Sequence, residues 1–254
     1  MHHKLTLEYD GGAFHGWQVQ PGGLRTVAGE LSAALRRVTG ETPALTAAGR
    51  TDAGAHSLGQ VVGFSLERDL APERLRQALD GVLPADVAVV ASEAAPAGFH
   101  ARFHARRRSY RYLVENREAR PALLRGRAWH VAQPLAVDAM RRAAALLVGR
   151  RDLVAFGADP AGRNTVRDLE AIHIRRLSQA PLPVRAGALD SRGGRGSLIS
   201  FELRADAFLH GMVRRIVGLL VEVGLGRRDP GEAAGIVAAR VPAPSRTAPA
   251  RGLY

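Results

Sequence analysis

Lys4-Leu5-Thr6-Leu7-Glu8-Tyr9 alternates strictly: Leu5, Leu7 and Tyr9 fall on one side of an extended chain, and Lys4, Thr6 and Glu8 on the other. A period of two with one apolar side predicts a half-buried strand. A loop rich in glycine and aromatic residues follows, from Asp10 to Gly23. Thr26 can then cap a helix in which Val27, Leu31, Ala34, Leu35 and Val38 recur at helical spacing, with Gly40 as its stop. Residues 43–48 and 60–66 read as two further strands. Pro72 opens a second helix through Leu75, Leu79 and Val82 that ends near Pro84, proline being at home in a first helical turn. The valine-rich stretch from Asp86 to Ser92 is a fourth strand. The order β-α-β-β-α-β is the ferredoxin-like pattern.

The second half repeats that order with more decoration. Strands are expected at 108–115 and 128–132, a helix at 137–148, alternating strands at 166–176 and 198–204, then helices at 210–223 and 232–240. A Gly/Pro/Arg-rich stretch from Gln179 to Gly196 reads as a mobile surface insertion. No residue-level repeat links the halves; only the element order does. The run of basic residues after Phe103 places the boundary between a first domain, 1–104, and a second, 105–254. The fold class is α+β.

Composition bounds the partner. The 254 residues carry 36 Lys+Arg against 24 Asp+Glu, a formal charge of +12 and a sequence pI near 11.3. Such an excess favours a polyanion, nucleic acid before membrane. With 46% apolar residues the chain is expected to bury proper cores. The absence of cysteine excludes disulfides, thiolate metal sites and a cysteine nucleophile. The start Met1-His2-His3-Lys4-Leu5 lacks an apolar signal core, and the longest apolar run, near Ile216–Val223, is broken by Gly218 and Glu222. A cytoplasmic protein that does not engage a membrane is expected.

Three stretches hold candidate chemistry. Gly49-Arg50-Thr51-Asp52-Ala53-Gly54-Ala55-His56 lies between two strands, where two glycines permit a tight path that displays Asp52. It reads either as a simple Asx-type turn with Arg50 solvated, or as a displayed carboxylate that acts as nucleophile or base. Arg102-Phe103-His104-Ala105-Arg106-Arg107-Arg108-Ser109-Tyr110-Arg111-Tyr112 interleaves cations with aromatics, which suits phosphates and unpaired bases. Strict alternation puts Tyr110 and Tyr112 on one face, so at least one of them belongs to the core. On the helix from His210, Arg214 borders the apolar stripe of Val213, Ile216 and Leu220. His100 and His104 stand at i and i+4, but a metal pair would need a helix there, and no metal site is expected. His2 and His3 read as an exposed terminus.

The octet from Gly49 to His56 resembles the active-site loop of the tRNA pseudouridine synthase A family, and the similarity extends along the chain. Leu7-Glu8-Tyr9-Asp10-Gly11 with His15-Gly16-Trp17-Gln18 is similar to the family's opening. Phe99-His100-Ala101-Arg102-Phe103 and Tyr110-Arg111-Tyr112 match its centre; Ala207-Phe208-Leu209-His210 with Met212-Val213-Arg214, and Gly252-Leu253-Tyr254, match its end. Ala55 stands where the family often has valine, and the chain stops where members commonly run on into another strand.

The resemblance implies an isomerase that converts uridine to pseudouridine at positions 38 to 40 of the tRNA anticodon arm, without a cofactor. It implies two ferredoxin-like halves joined in one extended antiparallel sheet with helices on one face, an active-site cleft between the halves, and a homodimer. By position, Asp52 is the catalytic aspartate, Arg50 braces the space left by the everted base, and Tyr110 stacks on the uracil. Arg214, with Arg215 adjacent, is the candidate partner of Asp52. RNA contacts are expected from His15, Gln18, Arg106, Arg107 and Arg108. The rivals are a non-catalytic tRNA-binding protein or chaperone on the same fold, and a nucleoside hydrolase built on Asp52.

Overall fold

His2–Tyr9 forms the first strand, β1, of the computed structural model, with Leu5 and Leu7 fully buried as the alternation requires. The structure describes residues 1–157, 164–177, 197–240, 243 and 246–254. These fall into two units, Met1–Arg106 with Tyr254, and Arg107–Leu253. Among the described residues the architecture is α+β, with two sheets and five helices.

In the first unit β1 pairs antiparallel with β3 (Ser57–Ser65) and β4 (Val87–Ala94), and β2 (Thr46–Ala47) borders β3, giving the order β2-β3-β1-β4. Helix α1 (Val27–Thr39) begins where the Thr26 hydroxyl accepts from the Gly29 amide at 3.3 Å. Helix α2 (Pro72–Asp80) starts on its proline. Leu31 and Leu35 of α1 and Leu75 and Leu79 of α2 share a core with Leu5, Leu7, Val62 and Val89, so both helices cover one face of the sheet. Each such leucine contributes about 1.5–3 kcal/mol by leaving water. The chain order β-α-β-β-α-β is as expected. The strand expected over 43–48 shrinks to Thr46–Ala47.

His3 corrects the expectation of an exposed terminus. It lies on the same face of β1 as Leu5 and Leu7, is fully buried, and stacks on Phe64 at 5.5 Å. Neither ring nitrogen finds a hydrogen-bond partner. Burial, reinforced by the nearby amino terminus, holds its pKa below the usual histidine value.

In the second unit β5 (Arg108–Asn116) pairs antiparallel with β9 (Ser197–Ala205), which pairs with β8 (Val166–Leu177), followed by β7 (Gly149–Asp152). Strand β6 (Trp129–Val131) flanks β5 in parallel. Helices α3 (Val137–Ala145), α4 (Met212–Gly224) and α5 (Glu232–Ala239) complete it. Tyr112, Phe201, Ile216, Leu219 and Met140 are buried together with most of α4. Leu253 makes an isolated antiparallel bridge to Tyr112, and the Tyr112 hydroxyl donates to the Pro249 carbonyl at 2.6 Å.

Among the described residues the ladders form a four-stranded sheet ending at β2 and β4 and a five-stranded sheet ending at β6 and β7. Two expectations change here. The β5–β6 pair is parallel, so the second sheet is mixed. The helix expected over 137–148 stops at Ala145, and β7 follows where no strand is expected. The Gln179–Gly196 stretch lies outside the described residues.

Candidate active site

The loop carrying Asp52 is held along its length by the Gly/aromatic loop that follows β1. The Tyr9 hydroxyl meets Thr51 Oγ1 at 2.8 Å, the Trp17 amide donates to the Thr51 carbonyl at 3.1 Å, and the Gly54 amide donates to the Phe14 carbonyl at 3.1 Å. Upstream, Gln60 Nε2 donates to the Gly49 carbonyl. Within the loop the Ala55 amide donates to the Asp52 carbonyl at 3.1 Å, closing a turn around Asp52. Gly16, at φ +89°, puts its backbone against Thr51 and Ala53, where a side chain would collide with the Thr51 carbonyl.

Closer still is Gly11. A Cβ there would fall 1.8 Å from the Ala55 carbonyl oxygen. The Gly11 amide points at His56 Nδ1, 3.1 Å away, and Asp10 Oδ1 lies 2.9 Å from the same nitrogen. That nitrogen accepts from Gly11 in one tautomer and donates to Asp10 in the other. The His56 ring is 2% exposed and stacks on Tyr254 at 4.8 Å. The anchoring loop is itself clamped: Arg25 grips Asp86 through two nitrogens at 2.7 and 2.8 Å, bonds Glu30 at 2.8 Å, and lies over the Phe14 ring at 4.1 Å. This forked hydrogen bond holds the Asp86 carboxyl below its ordinary pKa.

The structure therefore brings Asp52 and the His15–Gln18 segment together on one framework. Asp52 is half-buried, while Arg50, His15 and Gln18 are exposed. In the second unit Tyr110 is half-buried on β5, with its ring edge-on to Phe208 at 4.9 Å, and Tyr112 is the member of the pair taken by the core. Burial pushes the Tyr112 hydroxyl pKa up. Arg214 is half-buried on α4, and its Nε donates to the Ala248 carbonyl at 2.7 Å. Arg106 is exposed; Arg107 is exposed and bonds Glu170 at 2.7 Å; Arg108 is half-buried and donates to the Asp206 carbonyl at 2.8 Å. His100 and His104 belong to a turn in which the His104 amide donates to the His100 carbonyl at 3.0 Å.

A family model described as tRNA pseudouridine synthase matches residues 6–104 and 143–254. The chain belongs to the tRNA pseudouridine synthase family. It is 46% identical to a tRNA pseudouridine synthase A of Moorella thermoacetica, over 98% of this chain and 96% of the relative. It is 41% identical to one from Rhodopseudomonas palustris and 36% identical to one from Acetivibrio thermocellus, each over 99% of this chain and 96% of the relative. The family match contains Asp52 and Arg214; Tyr110 and Arg106–Arg108 lie between its two segments, in a stretch that the full-length relatives cover.

The motif marks the Asp52 loop but not the contacts that brace it. His56 appeared only as a member of the motif, whereas its ring is the buried support under Gly11. A polar residue closing a glycine-rich turn, with an apolar strand directly after it, was the available signal.

Proposed function

We propose that this protein converts uridine to pseudouridine in the anticodon arm of tRNA, at positions 38 to 40, with Asp52 as the catalytic carboxylate. The observation that carries the reading is the Asp52 loop itself, intact in a chain similar over nearly its full length to tRNA pseudouridine synthases A, and braced by the loop after β1.

The chemistry suits these groups. The N1–C1′ bond breaks, the detached uracil turns, and C5 bonds to C1′. The hydrogen on C5 then leaves as a proton, while N1 takes one up. Atoms and charge balance without a redox change, so no cofactor enters. A carboxylate fixed by its backbone can add to C1′ or take a proton from the sugar; both routes need it ionised and aimed at the ribose. The Asp52 side chain is presented by a turn fastened at Thr51, Gly54 and Ala55, so little reorganisation is left for the reacting state.

Arg50, exposed beside Asp52, fits the role of bracing the stack once the uridine is out of it, a step that costs a few kcal/mol. Tyr110 is assigned to stacking on the uracil, and Arg214 to supporting the carboxylate charge. His15, Gln18, Arg106, Arg107 and Arg108 are assigned to RNA contacts. Of these, Arg106 is the readiest, since Arg108 already serves the Asp206 carbonyl.

The reading includes a first domain over 1–104 and a second over 105–254, each ferredoxin-like. For the first it is supported by the sheet order β2-β3-β1-β4, and for the second by β5-β9-β8 with Leu253 bridged to β5. It also includes a homodimer acting in the cytoplasm. No helix among the described residues is long and apolar enough to cross a membrane.

The test incubates the protein with an unmodified tRNA transcript in EDTA and maps pseudouridine by carbodiimide-dependent primer-extension stops. Stops in the anticodon arm are expected. Binding without stops would favour the non-catalytic rival.

A further inference from the structure

Among the described residues Phe103 is the most exposed of the large apolar side chains, at 73%. It is displayed by a built turn. His100 Nδ1 accepts from the amides of Arg102 and Phe103 at 3.3 and 3.4 Å, and the His100 carbonyl accepts from His104 at 3.0 Å. Buried Ala101 plugs the turn into the unit, its amide directed at Thr46 Oγ1 at 3.4 Å. The His100 ring stacks against Phe103 at 4.2 Å with 28° between planes, and the Arg102 guanidinium sits 5.8 Å from the Phe103 centroid. The phenyl ring is thus fixed in place while most of its surface meets water.

We propose that Phe103 is a stacking platform for an unpaired nucleobase of the RNA substrate, with Arg102 and Arg106 serving the adjoining phosphates. This rests on the proposed tRNA reading and adds to it a contact separate from the Asp52 loop. Charge selects the occupant. Arg102, His104 and Arg106, all within three residues of Phe103, are exposed, in a chain of net charge +12. A second copy of the chain would bring like charges together here, whereas RNA brings phosphates beside bases. An aromatic face accepts any base, so the platform would hold the strand in register without reading sequence. The His100 stack backs the ring and limits what it loses in freedom on binding.

The experiment compares Phe103→Ala, Phe103→Leu and Phe103→Trp in the full-length protein, by kinetics on a tRNA transcript and by direct binding. Because the site is exposed and its backbone bonds are local, folding should be unchanged in all three. Ala and Leu should each weaken binding and raise KM about tenfold, the scale of one lost base–aromatic stack, with kcat unchanged. Trp should retain wild-type binding. Its indole would be the exposed one beside buried Trp17 and Trp129, so its emission should be quenched when tRNA binds. Wild-type binding by Ala would overturn the proposal. So would wild-type binding by Leu, which would mean that apolar bulk suffices. A shift of Ala from dimer to monomer in sedimentation, with tRNA binding intact, would assign the ring to a protein interface instead. The binding arm needs no turnover, so a failure of the isomerase reading would show as absent product while the stack is still measured.

Discussion

Replacing Gly11 with alanine tests how firmly the Asp52 loop depends on its brace. The new Cβ would lie 1.8 Å from the Ala55 carbonyl oxygen and 2.4 Å from its carbon. Both are backbone atoms, so no side chain can swing aside. Reaching the closest approach that real Cβ atoms show, 3.0 Å, requires the two strands of backbone to part by about 1.2 Å. Ala55 bonds the Asp52 carbonyl, so the displacement passes directly to the turn that aims the carboxylate. A misplacement of about 1 Å costs on the order of 100-fold in rate. Overpacking should also cost about 1–3 kcal/mol of stability, which lowers Tm by about 2–4 °C per kcal/mol for a chain of this size. Single-turnover rates on a tRNA transcript, with a melting curve and a binding isotherm, separate these effects. Gly126→Ala is the control, since nothing lies within 4 Å of its Cβ. We expect kcat to fall about 100-fold, with tRNA affinity within a few-fold. Wild-type kcat in Gly11→Ala would refute the idea that this contact positions Asp52.

Three further outcomes are expected. His56→Leu strands the Gly11 amide, costing about 1–3 kcal/mol, and should lower kcat more than it raises KM. His56→Asn, whose Oδ1 can accept in place of Nδ1, should recover much of that loss, and equal defects in both would remove the hydrogen bond from the account. Tyr110→Phe should keep most activity and Tyr110→Ala should lose far more, as measured by kcat/KM; equal losses would assign the role to the hydroxyl. His3 has a folded pKa below its unfolded value of about 6.5, so its contribution is intact above that pH and is lost as pH falls toward the folded value. Stability should therefore decline on acidification below about pH 6.5, by at most ~1.4 kcal/mol per pH unit from this group. His3→Leu should be more stable and flatter with pH in urea titrations; an unchanged slope would contradict the burial argument.

Much of this molecule is legible in its residue pattern, and the exceptions have physical causes. The Leu5–Tyr9 alternation, the Thr26 cap and Pro72 each define an element through local chemistry, and each appears where expected. The same alternation carried one step further back would have put His3 in the core; its polarity outweighed its position. Strand β7, Gly-Arg-Arg-Asp, has no apolar period to announce it and exists because β8 offers its edge. Strand β6 is legible at 128–132, but its parallel direction is not, since three residues carry no record of it. At the site, the motif marked Asp52, but the contacts that hold it come from Tyr9 to Trp17 and from His56. Such contacts arise only when distant segments fold together. Tyr110 and Tyr112 show the division clearly: alternation required at least one to be core, and only packing against Phe201 and Leu253 decided that it is Tyr112.

The most direct test of the central claim uses tRNA labelled with tritium at uridine C5, comparing the wild-type protein with Asp52→Asn. If Asp52 drives isomerisation, each pseudouridine formed must release one tritium to water, because C5 gives up its hydrogen to bond C1′. The wild type should release tritium and pseudouridine in equal amounts with no free uracil, and Asp52→Asn should release none while still binding tRNA. Free uracil would mean hydrolysis. Tritium release by Asp52→Asn at the wild-type rate would take the carboxylate out of the chemistry.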